Sequence, residues 1–243
     1  MGRVSRAVED YRMIEQGDRI LVGVSGGSDS LSLLAILSDR LAHAPRYEVV
    51  AAHVDLGFDE PESKGWRRLE AHFRTLGVPH CFVHTEIARS ALDEQARKNP
   101  CFICSMYRRR EIYRIAHAEK CNKIAYGHHQ DDIVETLLIN ILYGRKIGAM
   151  NPVQEVFKGQ MHIIRPFVYV EEELLKKYAL EAGLPVLPRR CPVDGGTRRQ
   201  KIKEMIRSLQ KDEPHANIRK NIFKALQHVE MDWPKVNSRN SKS

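Results

Sequence analysis

Apolar runs bounded by turn residues alternate along this chain with segments of helical period. Arg19 to Val24 is rich in Ile, Leu and Val, and Asp29 to Leu41 follows it with a helical pattern. The pairing recurs as a strand at Tyr47 to Val54, a helix at Glu62 to Leu76 and a strand at His80 to His84. Met106 to Lys120, with Ile112, Ile115 and Ala116 on one face, predicts a further helix. A strand at Lys123 to Tyr126, a helix at Asp131 to Leu142 and a short strand near His162 to Ile164 complete the series. Strands alternating with helices predict an α/β domain on a parallel sheet. After Pro188 the character changes. Cys191-Pro192 and Gly195-Gly196 interrupt the chain before two basic helices, one with Ile202, Met205, Ile206 and Leu209 on a face, the other with Ile218, Ile222, Leu226 and Val229. The pattern therefore divides the chain into an α/β domain over 1–188 and a basic helical segment over 189–243.

Charge sharpens that division. The net charge is +8, and Arg189 to Ser243 holds 14 Lys/Arg against 6 Asp/Glu, so the C-terminal quarter carries the whole excess. Such a bias points to an anionic partner. No run approaches the roughly 18 apolar residues needed to cross a bilayer, and the start leads into charge rather than an apolar leader, so a cytoplasmic, membrane-free protein is expected. In a reducing compartment five cysteines are expected as core residues, metal ligands or nucleophiles rather than disulfides.

Two segments carry the chemistry. Ser25-Gly26-Gly27-Ser28-Asp29-Ser30 lies between an apolar strand and a helix. Two glycines let backbone N–H groups approach an oxyanion, the helix start adds partial positive charge, and three hydroxyls add donors. The turn lacks the Gly-Lys-Ser/Thr ending of a P-loop and the third glycine of a dinucleotide fingerprint. Asp29 is placed to orient magnesium or to cap the helix. The second segment, Gly127-His128-His129-Gln130-Asp131-Asp132-Ile133-Val134-Glu135-Thr136, also follows a strand and opens a helix. On parallel strands both turns would face one pocket at the carboxyl edge of the sheet. Asp132, taken ahead of Asp131, would share a magnesium ion with Asp29, and His128 would contact phosphate or ribose.

Together the two segments resemble those of the PP-loop, or N-type ATP pyrophosphatase, superfamily, whose members split ATP between its α and β phosphates. The resemblance implies a Rossmann-like fold, ATP and Mg²⁺ as cofactors, and nucleotide binding by Ser25, Gly26, Gly27, Ser28, Asp29, Ser30, Gly127, His128 and Asp132. It also lays His53, Val54 and Asp55, at the end of the second strand, along the nucleoside.

Cys101-Phe102-Ile103-Cys104 comes just before a predicted helix, with Arg108, Arg109 and Arg110 beyond it. Helix start and arginines together are expected to lower the thiol pKa values. By itself the pair fits a redox dithiol, half a zinc site or part of an iron–sulfur site. Cys191 adds a possible third ligand, while Cys81, in a strand, and Cys121, at a helix end, read as structural. Cys101, Cys104 and Cys191 together resemble the three-cysteine pattern of the iron–sulfur tRNA thiolases of the 2-thiocytidine synthetase group, as do Arg165-Pro166-Phe167 and Asn221-Ile222-Phe223-Lys224-Ala225-Leu226. Members of that group hold a [4Fe-4S] cluster on three cysteines and replace the C2 oxygen of a pyrimidine by sulfur after adenylating it.

The resemblance makes Asp29, Asp132, Cys101, Cys104 and Cys191 the candidate catalytic residues. It makes tRNA the substrate and calls for a sulfur donor such as a cysteine desulfurase or free sulfide; a homodimer is compatible with it. Arg108, Arg109, Arg110, Arg189, Arg190, Arg198, Arg199 and Lys201 become candidate RNA contacts. Tyr107, Tyr113 and Phe102 are read as core packing, with base stacking as the alternative. Two further readings stay open: a PP-loop enzyme with an amine acceptor, like the lysidine synthetases, and a zinc-stabilised RNA-binding protein with a vestigial ATP site.

Overall fold

A computed structural model describes residues 2–41, 43–58, 63–92, 100–188, 191 and 197–230. The elements in chain order are α1 (Gly2–Asp10), β1 (Asp18–Gly23), α2 (Ser28–Ser38), β2 (Tyr47–Asp55), α3 (Lys64–Thr75), β3 (His80–His84), α4 (Ile87–Ala91) and α5 (Pro100–Ala118). They continue as β4 (Lys123–Ala125), α6 (Gln130–Gly144), β5 (Val153–Val156), β6 (Met161–Ile164), α7 (Glu172–Glu181), α8 (Arg198–Asp212) and α9 (Ile218–Ala225). The sheet runs β3-β2-β1-β4-β6-β5, parallel throughout except for β5, which pairs antiparallel with β6 at one edge.

Ile20, Leu21 and Val22 of β1 are completely buried because helices cover both faces of the sheet, which is why this strand reads as a continuous apolar run. Helix α2 lies between the sheet and α7, and Leu31, Leu33, Leu34 and Leu37 are buried around its whole girth. The far end of the sheet is pinned electrostatically. Lys123 Nζ lies 2.8 Å from Asp18 Oδ2 with both side chains buried, and Asn122 donates to Asp18 Oδ1 at 2.7 Å. These bonds hold β1 and β4 in the register Ile20↔Lys123 and Val22↔Ala125, so the turns after the two strands end level.

The α/β fold and basic helices match the sequence pattern, and four elements go beyond it. α1, α4 and α7 are unannounced by the periodicity, as is β5, whose Val-Gln-Glu-Val pattern leaves its two polar residues exposed on an edge strand. Helix α5 starts at Pro100 rather than Met106, since proline is favoured in a first helical turn. The cysteine pair is therefore inside the helix, not before it. None of the helices among the described residues is long and apolar enough to cross a membrane.

Candidate functional site

The chain runs β1, β2, β3 outward in one direction, then returns to lay β4 on the other side of β1. That reversal opens a crevice at the carboxyl ends of β1 and β4, the place where open α/β sheets bind ligands. A cavity of about 310 Å³ occupies it, walled by Ser25, Asp29 and Ser30 after β1, by Gly127, His128 and Asp132 after β4, and by Ser105, Arg108 and Arg109 of α5. The two predicted segments therefore meet in one pocket.

The first turn is built around its hydroxyls. Ser30 Oγ donates to Gly27 O at 3.1 Å and accepts from Ser25 N at 3.1 Å, and the Ser25 and Ser30 hydroxyls lie 3.1 Å apart. Gly26 has φ +86, the left-handed region, and its carbonyl accepts from Leu187 N at 2.9 Å, which fastens the turn from the chain beyond α7. The α2 N-cap is Gly27, with no side-chain cap, so Asp29 is free of capping and Ser28 donates to its Oδ1 at 3.0 Å. In the second turn Gly127 serves packing: a Cβ there would lie 2.9 Å from the carbonyl carbon of Asp29 and 3.0 Å from its oxygen.

His129 joins the two turns, a role the sequence reading passed over. Its Nδ1 accepts from Asp132 N at 3.4 Å while Asp132 Oδ2 accepts from His129 N at 3.1 Å, a reciprocal cap on α6. Its Nε2 lies 3.9 Å from Asp29 Oδ2 and 3.4 Å from Asp132 Oδ2. Burial raises the Asp29 carboxyl pKa against the pull of His129 and Ser28, and the Asp132 charge adds to the rise. His128, beside it, is held neutral: burial pushes its pKa down to about 4 and its Nδ1 has no partner.

The three residues at the end of β2 separate. Val54 lines the cavity. His53 is buried and donates from Nδ1 to Val24 O at 2.8 Å, bracing the backbone that leads into the phosphate turn. Asp55 bonds His84 Nδ1 at 2.7 Å and accepts from Gly57 N, away from the crevice.

On α5, Cys101, Cys104, Ser105, Arg108 and Ile112 recur at helical spacing; Ser105, Arg108 and Ile112 line the cavity, whereas the two thiols lie one turn away and outside its lining. The expected lowering of the thiol pKa fails at Cys104. Burial raises it, the nearby Cys191 thiol raises it further, and Arg108 only partly offsets them before Cys101 adds its own upward push. Cys104 thus senses both other candidate ligands. Cys81 and Cys121 lie apart, each donating to Glu119. Among the described residues no three His, Cys, Asp or Glu side chains converge on a single ion.

The candidate RNA contacts divide. Arg108 and Arg109 wall the cavity, while Arg110 and Lys201 are exposed. Arg198 covers the Tyr143 ring at 4.8 Å. Arg199 pairs with Asp132 and lies 3.5 Å from Glu135, a completely buried carboxylate whose pKa burial raises to about 7 against Lys203 and Arg199. Arg219 pairs with Asp131. Arg189 and Arg190 lie outside the described residues. Phe102 and Tyr107 are exposed rather than core, because they point off the buried face of α5 defined by Ile103, Ile112 and Ile115. Tyr113 packs edge-on against Phe157. Sequence reasoning also missed Tyr126 and Gln154 in the cavity wall, and it met Arg165 only as part of a family motif.

A parallel sheet with a glycine-and-serine turn and a capped acidic helix facing each other at its switch point defines a nucleotide-binding α/β protein. Residues 2–187 match the family model of the PP-loop domain. A tRNA-cytidine(32) 2-sulfurtransferase of Syntrophotalea carbinolica is 40% identical over 93% of this chain and 86% of its own length. Another, of Geotalea uraniireducens, is 38% identical over 94% of this chain and 90% of its own. The U34-tRNA thiolase NcsA of Methanococcus maripaludis, solved with its [4Fe-4S] cluster, shares the fold with a TM-score of 0.75 over 94% of this chain and 79% of that one, at 22% identity. The chain belongs to the PP-loop family and, within it, to the family of the tRNA-cytidine(32) 2-sulfurtransferases.

Proposed function

We propose that this protein activates the C2 carbonyl of a tRNA cytidine with ATP and replaces its oxygen by sulfur, using a [4Fe-4S] cluster held by Cys101, Cys104 and Cys191. The observation that carries the reading is the meeting of both turns and helix α5 around one cavity, with Cys101 and Cys104 in the turn of α5 next to the lining residues Ser105 and Arg108. A pyrimidine carbonyl oxygen is a poor leaving group until it is esterified, which is what ATP supplies. In this reading Ser25, Gly26, Gly27, Ser28 and Ser30 hold the departing phosphates through hydroxyls and backbone N–H groups, and Val54 lies along the nucleoside. Asp29 and Asp132, two carboxylates with a histidine N–H between them, fit a magnesium ion, which takes few protein ligands and completes its shell with water and phosphate oxygens. Neutral His128 is then available to a phosphate or ribose oxygen.

The cysteine set suits a three-thiolate cluster by its chemistry: Cys101 and Cys104 lie one turn apart on α5, Cys191 stands near enough to raise the Cys104 pKa, and the remaining two cysteines are engaged elsewhere. When bound, such a cluster with one iron lacking a protein ligand supplies the site from which sulfur is delivered. In this reading the basic helices α8 and α9 pack on α6 of the ATP-binding domain, and Cys191, ahead of them in the chain, returns to the active site. A cysteine desulfurase or free sulfide provides the sulfur. The protein works in the cytoplasm, and a homodimer is compatible with the exposed apolar Ile141, Leu142 and Ile147 at and just beyond the end of α6.

Anaerobically purified protein is expected to contain about four irons with labile sulfide, and cells lacking it to lose a 2-thiolated cytidine from tRNA. One zinc without sulfide would favour the RNA-binding reading. An intact thiolation pattern in the deletion strain would overturn the proposal.

A further inference from the structure

Beyond the second turn, the cavity reaches a corner between the ends of β4 and β6 where a cation stands without an anion. Arg165, the first residue after β6, lines the cavity and is only 6% exposed. Its guanidinium donates to Asn151 O and, at 3.2 Å, to Gln154 Oε1, both neutral acceptors. Its Nε is buried with no partner. Two of five guanidinium N–H bonds are thus used. Among the described residues no carboxylate pairs with it. The other sequestered cations do have one: Lys123 has Asp18, Lys203 has Glu135 and Glu172, and Arg219 has Asp131.

The surroundings add to the imbalance. Arg109 of α5 lines the same cavity; burial lowers the Arg165 pKa, Tyr126 and Tyr113 raise it, and the Arg109 charge lowers it. Tyr126 is neutral, its phenol pushed up to about 12 by burial, and His128 leaves its Nδ1 buried and unpartnered. A buried charge is strongly disfavoured unless paired, and an arginine fork matches two oxygens of one phosphate.

We propose that Arg165, with Arg109 and His128, forms an anion subsite distinct from the phosphate turn, and that it takes a phosphate ester. Two sources offer that chemistry: the phosphate left on the nucleoside once pyrophosphate has departed, or a backbone phosphodiester of the RNA. The inference rests on the nucleotide reading of the cavity.

Calorimetry on the full chain separates the cases, with inorganic pyrophosphate, AMP, adenosine and an anticodon stem-loop RNA as probes. Arg165→Gln keeps side-chain donors for Asn151 and Gln154 but removes the charge. If the nucleotide supplies the anion, this variant binds AMP about tenfold or more weakly, with adenosine and pyrophosphate unchanged. If RNA supplies it, AMP binding holds while the stem-loop weakens, and its log–log salt slope shrinks by about one. Arg165→Lys is expected to bind between the two. Wild-type affinity of Arg165→Gln for both AMP and stem-loop overturns the subsite and leaves Arg165 a structural tie. If Arg165→Gln loses its cooperative thermal transition, Arg109→Gln carries the same test from an exposed position, and unchanged binding of both probes overturns it equally. A wild-type protein that takes up no pyrophosphate strikes instead at the nucleotide reading, and the AMP and RNA arms still decide the subsite.

Discussion

A methyl group at Gly127 would sit 2.9 to 3.1 Å from the Asp29 carbonyl carbon, its oxygen and Ser30 N, all backbone atoms that cannot swing aside. Gly77, also a turn glycine, faces open space. The two positions are indistinguishable by composition, yet only one is a contact between the halves of the site. Gly127→Ala is expected to destabilise the fold by about 1–3 kcal/mol, the range for overpacking, and to weaken ATP binding by displacing the first turn of α2. Urea denaturation and ATP titration check both, and wild-type values for the pair would show that the backbones are not in contact. His129 and Arg165 teach a related point. A sequence displays their chemistry, but their roles depend on what lies across the crevice, Asp29 in one case and an uncharged corner in the other.

Helices α6, α7 and α8 are tied together by charge. Lys203 Nζ lies 3.0 Å from Glu172 Oε2 and 3.7 Å from Glu135 Oε1, while Ile202 and Ile206 bury their apolar face beside Val134. Burial alone would raise the Glu172 pKa, but the Lys203 hydrogen bond and the charges of Lys203 and Lys176 hold it down to about 2. A carboxylate depressed on folding adds stability that is present above its ordinary pKa near 4.5 and is lost as pH falls through about 2. Glu172→Gln is therefore expected to be less stable than wild type at pH 7 by about 1 kcal/mol, allowing for solvent screening at this half-buried site. The gap should close between pH 4.5 and 2, and denaturant midpoints at pH 7, 4 and 2.5 measure it. The apolar stripe of α8 was legible because Ile202 and Ile206 recur at helical spacing. The identities of the carboxylates opposite Lys203 were not, since ion pairs between segments 31 and 68 residues apart leave no local pattern. In the same way β1 and β4 were legible as apolar runs, whereas β5, a polar edge strand four residues long, depends on pairing that periodicity does not encode.

At the scale of the molecule, the positive excess of the C-terminal quarter is partly taken up by ion pairs within the protein. Arg199, Lys203 and Arg219 spend their charge on Asp132, Glu135, Glu172 and Asp131, joining this quarter to the helix that opens the active site. A count of cations therefore overstates the surface offered to RNA. Arg110 and Lys201, by contrast, are exposed, and Arg108 and Arg109 stand at the cavity. The two groups should separate in one experiment. Arg110→Gln with Lys201→Gln removes exposed cations only, so RNA binding should weaken and the thermal midpoint should hold. The log–log salt slope should shrink by roughly one for each phosphate no longer neutralised. Arg199→Gln removes an internal tie and leaves Glu135 buried beside Lys203 alone. It should lower stability by about 1–3 kcal/mol while leaving the salt slope unaltered. A salt slope that falls for Arg199→Gln and not for the exposed pair would mean that α8 leaves α6 when RNA binds, turning its inward face to the phosphates.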